Sequence, residues 1–199
     1  MAMGKVLSLR PPPPSGTDLV DRCLRGDADA WREMYLAHVD RLGRFVRRMG
    51  VLPGDLDDVL QETFVSVHGS LADYDGRVPL ATWMIGIAMN HVRAARRRLW
   101  RRRLARLAGF SGWAEPQAGD PTLELERKDA ARELQWVLDR MSDKQREVFV
   151  LYEIEALEGP AIARMLGCSV NTVWSRARLA REDFRRLLRQ RGVVRTGGE

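Results

Sequence analysis

The sequence predicts an all-α protein of two small helical domains joined by a flexible linker. Three observations predict it. Apolar residues recur every three or four positions along most of the chain, the period of a helix with one buried face. No stretch keeps the two-residue alternation of a strand. Near the middle, 109–121 strings together Gly, Ser, Pro and Gln with almost no periodicity, as a linker does.

The boundaries follow from punctuation. Residues 1–16 contain the run Pro11 to Pro14 and are expected to be a disordered tail. The first domain is expected over 17–104, the linker over 105–121, the second domain over 122–191, and a short tail over 192–199. In the first domain, Thr17 or Asp18 caps a short helix ending at Leu24. After Gly26 and Asp27, a longer helix is expected from Asp29 to Met49. Its core stripe is Trp31, Met34, Tyr35, Val39, Leu42, Phe45, Val46 and Met49. Gly50 and Pro53 end it. A third helix runs to about Leu71, with Leu56, Val59, Leu60, Phe64, Val67 and Leu71 inward. A loop with Asp75, Gly76 and Pro79 precedes a fourth helix, from Leu80 to about Arg103, packed through Leu80, Trp83, Met84, Ile87 and His91.

The second domain is expected to hold helices over 122–141, 144–155, 160–166 and 170–189. The last two form the strongest local signal. Pro160 suits a first helical turn, where its missing N–H costs little. Gly167 suits the left-handed residue that ends a helix, and Ser169 suits an N-cap. The final helix buries Val170, Val173, Ala177, Ala180, Phe184 and Leu187. It turns Asn171, Thr172, Ser175 and Arg178 outward, with Trp174 and Arg176 at the flanks. Short polar and basic side chains near the start of a helix that follows a Gly turn are what a helix-turn-helix brings to the major groove. An ordinary amphipathic helix with a solvated face is the plain alternative.

Composition agrees and excludes some classes. The chain has 199 residues, 45% hydrophobic, with a formal net charge of +6, which permits a nucleic-acid partner. It lacks a long apolar run for a membrane span and a secretory leader, so a cytoplasmic protein without membrane insertion is expected. Cys23 and Cys168 show no metal-ligand spacing and are read as small buried residues. No Gly-rich phosphate loop is present, and no enzyme activity or cofactor is expected.

Two charged clusters carry more than one reading. Asp57, Asp58, Gln61 and Glu62 cluster on the third helix: a solvated face, a docking surface for a basic helix, or a carboxylate pair for metal chemistry. Arg93, Arg96, Arg97, Arg98, Arg101, Arg102 and Arg103 crowd the end of the fourth helix, and charge this dense favours a polyanion nearby. Upstream, Asn90 and Arg93 are expected to share a face separate from Trp83 and Ile87.

Taken in order, these segments resemble a bacterial sigma factor of the extracytoplasmic-function type, in the sigma-70 family. Asp57-Asp58-Val-Leu-Gln61-Glu62-Thr-Phe64 resembles the family's region 2.2 helix. Thr82-Trp83 through Asn90 resembles the start of the promoter-melting helix. Met141 through Phe149 resembles the opening of region 4. The resemblance implies a subunit that directs RNA polymerase to promoters. Asp57, Asp58, Gln61 and Glu62 would dock on the clamp helices of the β′ subunit, and region 4 on the β flap. The loop 74–80, with Tyr74, would capture a flipped −10 base beside Asn90, while Arg93, Arg96 and Arg97 follow the non-template strand. Asn171, Thr172, Ser175, Arg176 and Arg178 would read the −35 element. An anti-sigma factor is a possible further partner. Departures from the pattern are Leu157-Glu158-Gly159-Pro160 in place of Leu-Ser-Tyr-Glu-Glu, Trp174 in place of Lys or Arg, and Pro79-Leu80 where an aromatic is frequent. Rival readings are a dimerising regulator that binds a palindrome without polymerase, and a helical metal-dependent enzyme using Asp57, Asp58 and Glu62.

Overall fold

A computed structural model describes residues 16–107 and 125–192. Apart from turns and short loops the described residues are helical, without strands. In chain order they form α1 (Gly16–Leu24), α2 (Ala28–Arg48), α3 (Pro53–Ser70) and α4 (Leu80–Leu107), then α5 (Leu125–Arg140), α6 (Asp143–Phe149), α7 (Gly159–Leu166) and α8 (Val170–Arg191). Residues 1–15, 108–124 and 193–199 lie outside the described residues; Gly16, expected in the tail, instead begins α1, and α4 continues through 105–107, where the linker was expected to begin.

Local chemistry sets the helix starts. Asp27 is the N-cap of α2, its Oδ1 accepting from Asp29 N at 2.9 Å and Ala30 N at 3.1 Å. The cap therefore sits earlier than the expected start at Asp29. Arg22 joins the cap through Nε to Asp27 Oδ2 at 3.0 Å, and Trp31 Nε1 donates to Cys23 O at 3.1 Å, which fastens α1 to α2. Pro53 opens α3 in the first turn, where its missing donor costs nothing. α6 is shorter than expected, and its last turn widens into a π-helical stretch over Val150–Ile154.

In the first block α2, α3 and α4 pack together around Met34, Leu42, Phe45, Val46, Val59, Val67, Met84, Ile85, Met89 and Val92, all buried. Thr63 is buried among them, and its Oγ1 donates to Val59 O at 2.7 Å. In the second block α8 lies across α5, α6 and α7. Val137, Leu138, Val148, Leu151, Ile162, Val173, Ala177 and Ala180 fill that core, and Phe149 stacks on Phe184 with centroids 4.8 Å apart.

The blocks meet through polar side chains. Glu147 of α6 lies between two α4 arginines, with Arg93 Nη2 at 3.2 Å and Arg96 Nη1 at 3.3 Å. Arg96 also pairs with Asp143, and Arg93 Nη1 donates to Met165 O at 3.2 Å. On the other side Glu155, whose side chain is only 5% exposed, pairs with Arg41 at 3.0 Å and Arg48 at 3.8 Å. Arg146 packs flat against Gly50, where any Cβ would collide with its guanidinium, and its Nε donates to Leu138 O at 2.5 Å. Gly50 also sits at φ +82°, so both its turn and this contact require glycine.

Candidate nucleic-acid and protein interfaces

The helix-turn-helix forms as expected. α7 ends at Gly167, φ +63°, and Cys168 N donates back to Ala163 O at 3.1 Å. Ser169 caps α8, its Oγ accepting from Thr172 N at 3.1 Å. Asn171, Ser175 and Arg178 are exposed on the outer face of α8. Arg178 reaches Glu182 at 2.7 Å across that surface, a solvated pair of little energetic weight. Thr172 and Arg176 are half-buried. Thr172 bonds its hydroxyl to the cap (Ser169 Oγ at 2.8 Å), and Arg176 Nη1 lies 4.0 Å from Cys168 Sγ. The outward polar set is thus narrower than the sequence suggested. Arg176, at 140° from Asn171 by helical spacing, falls on the side that faces the turn.

Trp174, one of the departures from the family pattern, packs over the start of α7. A Cβ on Gly159 would stand 2.6 Å from its Cζ2 and 2.8 Å from its Cη2. Tyr152 meets the same indole edge-on, centroids 5.4 Å apart. The unusual Gly159 and the unusual Trp174 therefore explain each other: the ring occupies the space a side chain at 159 would need.

On α4, Asn90 and Arg97 are exposed. Asn90 lies seven residues after Trp83 and three after Ile87, so the three share one stripe. The expectation that Asn90 and Trp83 occupy separate faces is corrected by that spacing. Tyr74 is half-buried and held: its hydroxyl donates to Val78 O at 2.7 Å, and its ring meets Trp83 with centroids 5.4 Å apart. Arg93 and Arg96 are engaged by the second block. Burial pushes the Arg96 guanidinium below its ordinary value, with Glu147 opposing.

The acidic stripe on α3 divides. Asp57, Asp58 and Gln61 are exposed. Glu62, expected to be exposed with them, is instead tied to α4 by Arg98 Nη1 at 3.2 Å and His91 Nδ1 at 3.2 Å. Burial acts to raise its carboxyl, but Arg98 and then His91 outweigh it and hold the group below its usual range. The reason is angular: Glu62 is about 140° around the helix from Asp57, on the edge that faces α4. Asp57 and Gln61 instead border an open apolar groove between α2 and α3, lined by Trp31, Tyr35, Leu60, Phe64 and Val65. Tyr35, expected in the core, is 46% exposed there, and Leu36 and Val65 are more open still. Sequence reasoning missed this groove. Its one available signal was that Val65, an apolar residue, falls off the inward stripe of its helix.

Among the described residues no group of three His, Cys, Asp or Glu side chains is placed to hold a metal ion, and no helix is long and apolar enough to cross a membrane. Cys23 is buried as expected, while Cys168 is only half-buried.

Comparison with known proteins adds the family. The model described as Sigma-70 region 2 matches residues 34–102, and that described as Sigma-70, region 4 matches 131–184. RNA polymerase sigma factor CnrH of Cupriavidus metallidurans is 30% identical over 183 residues, covering 85% of this chain and 92% of its own length. ECF RNA polymerase sigma factor SigE of Mycolicibacterium smegmatis is 31% identical over 177 residues, covering 86% of this chain and 67% of its own. The solved structure of CnrH in complex with the cytosolic domain of CnrY matches with a TM-score of 0.61 at 25% identity, over 87% of this chain and 96% of that one.

Proposed function

Because this chain belongs to the extracytoplasmic-function group of the sigma-70 family, the factors that direct RNA polymerase to promoters, we propose a division of labour between its faces. Residues 17–104 form one domain, which docks on the polymerase core and holds the −10 element. Residues 122–191 form a second, which reads the −35 duplex. The observation that carries this reading is the outer face of α8. Asn171, Ser175 and Arg178 stand exposed at the start of a Ser169-capped helix that α7 holds at a Gly167 turn. Side chains so placed reach base edges and phosphates in the major groove.

At the −10 element, Asn90 offers a donor and an acceptor to an extruded base. Tyr74 and the loop 74–80 wall the site, and Arg97 meets the strand. Arg93 and Arg96 join them only after exchanging Glu147 for phosphate. Melting then follows from tighter binding of the single-stranded form, a population shift rather than a catalysed reaction. The core docks on Asp57, Asp58 and Gln61 and on the apolar groove beside them. A basic helix with apolar residues along one side fits both features; in this reading the β′ clamp helices take this face, and the β flap takes the second domain. Glu62 serves chiefly to join α3 to α4. An anti-sigma factor is a further partner in this reading, in keeping with a similarly folded sigma factor, RpoE of Bartonella quintana, solved in complex with the anti-sigma factor NepR.

Reconstitution tests the whole reading. Core polymerase plus this protein is expected to initiate from members of a randomised promoter pool. Asn90→Ala is expected to impair promoter opening more than core binding. Absence of core binding and of initiation on every template would overturn the reading. A stable homodimer that binds duplex tightly without polymerase would replace it with a dimeric regulator.

A further inference from the structure

The outer face of α8 leaves more apolar surface open than polar base reading needs. Trp174 is 44% exposed and Leu179 is 42% exposed. Neither belongs to the inward stripe of Val173, Ala177, Ala180 and Leu187, which is buried. Helical neighbours are three or four residues apart. Trp174 therefore adjoins Asn171 and Arg178, and Leu179 adjoins Ser175. The two apolar side chains flank the polar centre of the face on opposite sides.

Trp174 is also fixed in place. One side of its indole rests on Gly159 and meets Tyr152 edge-on, and the rest is open. A ring already held loses little freedom when it meets a partner. What it offers there is apolar surface, without a charge for phosphate.

The edge of a base pair in the major groove carries one apolar landmark, the 5-methyl group of thymine. We propose that Trp174 and Leu179 are specificity-determining residues that pack on thymine methyl groups of the −35 element, beside the bases or phosphates met by Asn171, Ser175 and Arg178. This rests on the assignment of α8 to the −35 duplex. Burying a methyl-sized group corresponds to about a fourfold change in affinity.

The test uses holoenzyme made with the full chain. A promoter pool randomised only at −35 is selected by transcription. The selected promoter is then resynthesised with each −35 thymine replaced in turn by deoxyuridine, which removes the methyl alone. At one position or more, holoenzyme affinity is expected to fall about fourfold. That loss should vanish at one such position in Leu179→Ala or in Trp174→Ala, the variant binding thymine and uracil alike at the position its missing side chain contacts. Leu179→Ala removes an exposed side chain and keeps the fold. A melting curve, with core binding, checks Trp174→Ala. Three results would overturn the proposal: a selected −35 element without thymine, neutral uracil at every position, or a uracil effect unchanged in both variants. If initiation is also indifferent to the −35 sequence and to Asn171→Ala and Arg178→Ala, the assignment of α8 itself fails and takes the proposal with it. If those variants do impair −35 binding, only the methyl contacts are refuted.

Discussion

Replacing Glu147 by glutamine should loosen the contact between the two blocks and free the arginines of α4. The carboxylate is 12% exposed and receives Arg93 at 3.2 Å and Arg96 at 3.3 Å. A hydrogen bond to a charged group is worth about 1.5–3 kcal/mol, and a neutral one about 0.5–1.5 kcal/mol. Both contacts are longer than the usual charge-assisted range of about 2.7–2.9 Å, so the lower part of each range applies. Glutamine keeps one carbonyl oxygen, which holds one arginine by a weaker bond, and turns an NH2 donor toward the other, whose bond is lost, so the two contacts together weaken by about 2–3 kcal/mol. At about 1.4 kcal/mol per tenfold, the balance between docked and separated blocks shifts roughly 30- to 150-fold. The docked form keeps Arg96 with Asp143, Arg41 and Arg48 with Glu155, and Arg146 against Gly50. Opening should therefore appear as a lower salt threshold rather than as complete separation. Dyes on Leu36→Cys and Arg185→Cys, in a Cys168→Ser background, report the distance by energy transfer as salt is raised. Affinity of the free protein for a single-stranded −10 oligonucleotide provides a second readout and should rise. Identical distances and identical strand affinity in the two proteins would refute the argument that Glu147 holds these arginines.

Three further outcomes follow from other contacts. Asp58→Arg is expected to weaken core binding at least tenfold with an unchanged melting temperature, because Asp58 is exposed on α3 next to Asp57, which borders the α2–α3 groove; equal core affinity in a direct titration argues against docking there. Gly159→Ala is expected to destabilise the fold by about 1–3 kcal/mol as its Cβ meets the Trp174 ring, and Trp174→Ala in the same chain should remove most of that penalty; additive losses in denaturant melts would show that the two sites are independent. His38 is held below the usual histidine value, by burial first and by Arg41 second. The unfolded chain thus takes up a proton that the folded chain refuses. Stability should fall as pH drops below about 6.5, through the window down to the folded value, and His38→Gln should flatten that slope. A slope unchanged by the substitution would assign it to other groups.

Much of this was legible in the chain, for reasons that differ by element. The helix-turn-helix was legible because its signals are local: Pro160, Gly167 and Ser169 act within one or two turns. Asp57 and Asp58 were legible as exposed because each falls off an inward stripe, whereas the exposure of Asn90 was not, since it shares a stripe with Trp83 and Ile87. The fate of Arg93 and Arg96 was not, since Glu147 lies more than fifty residues away and nothing near α4 announces it. Glu62 misled for a related reason. Its place on the face depends on where α4 runs, and Arg98 and His91 come from that helix. The role of Trp174 needed both ends of a long-range contact, although the unusual Gly159 and the unusual Trp174 were each visible alone.

The placement of charges also fixes an order of events. Asp57, Asp58, Gln61 and the groove lined by Tyr35 and Val65 are open while the blocks are docked. Arg93 and Arg96 are not, because the same guanidinium groups that would meet the −10 strand meet Glu147 and Asp143. A partner of the α2–α3 face needs no rearrangement to bind, whereas DNA that binds as proposed at Arg93 and Arg96 must displace two carboxylates first. Core engagement should therefore precede −10 capture, and the two steps should respond differently to one substitution. Glu147→Gln is expected to leave the association rate with core polymerase unchanged and to speed formation of the open complex from preassembled holoenzyme, both measured by stopped flow. An acceleration of core association with no effect on opening would reverse the order and place the block contact over the core-binding face instead.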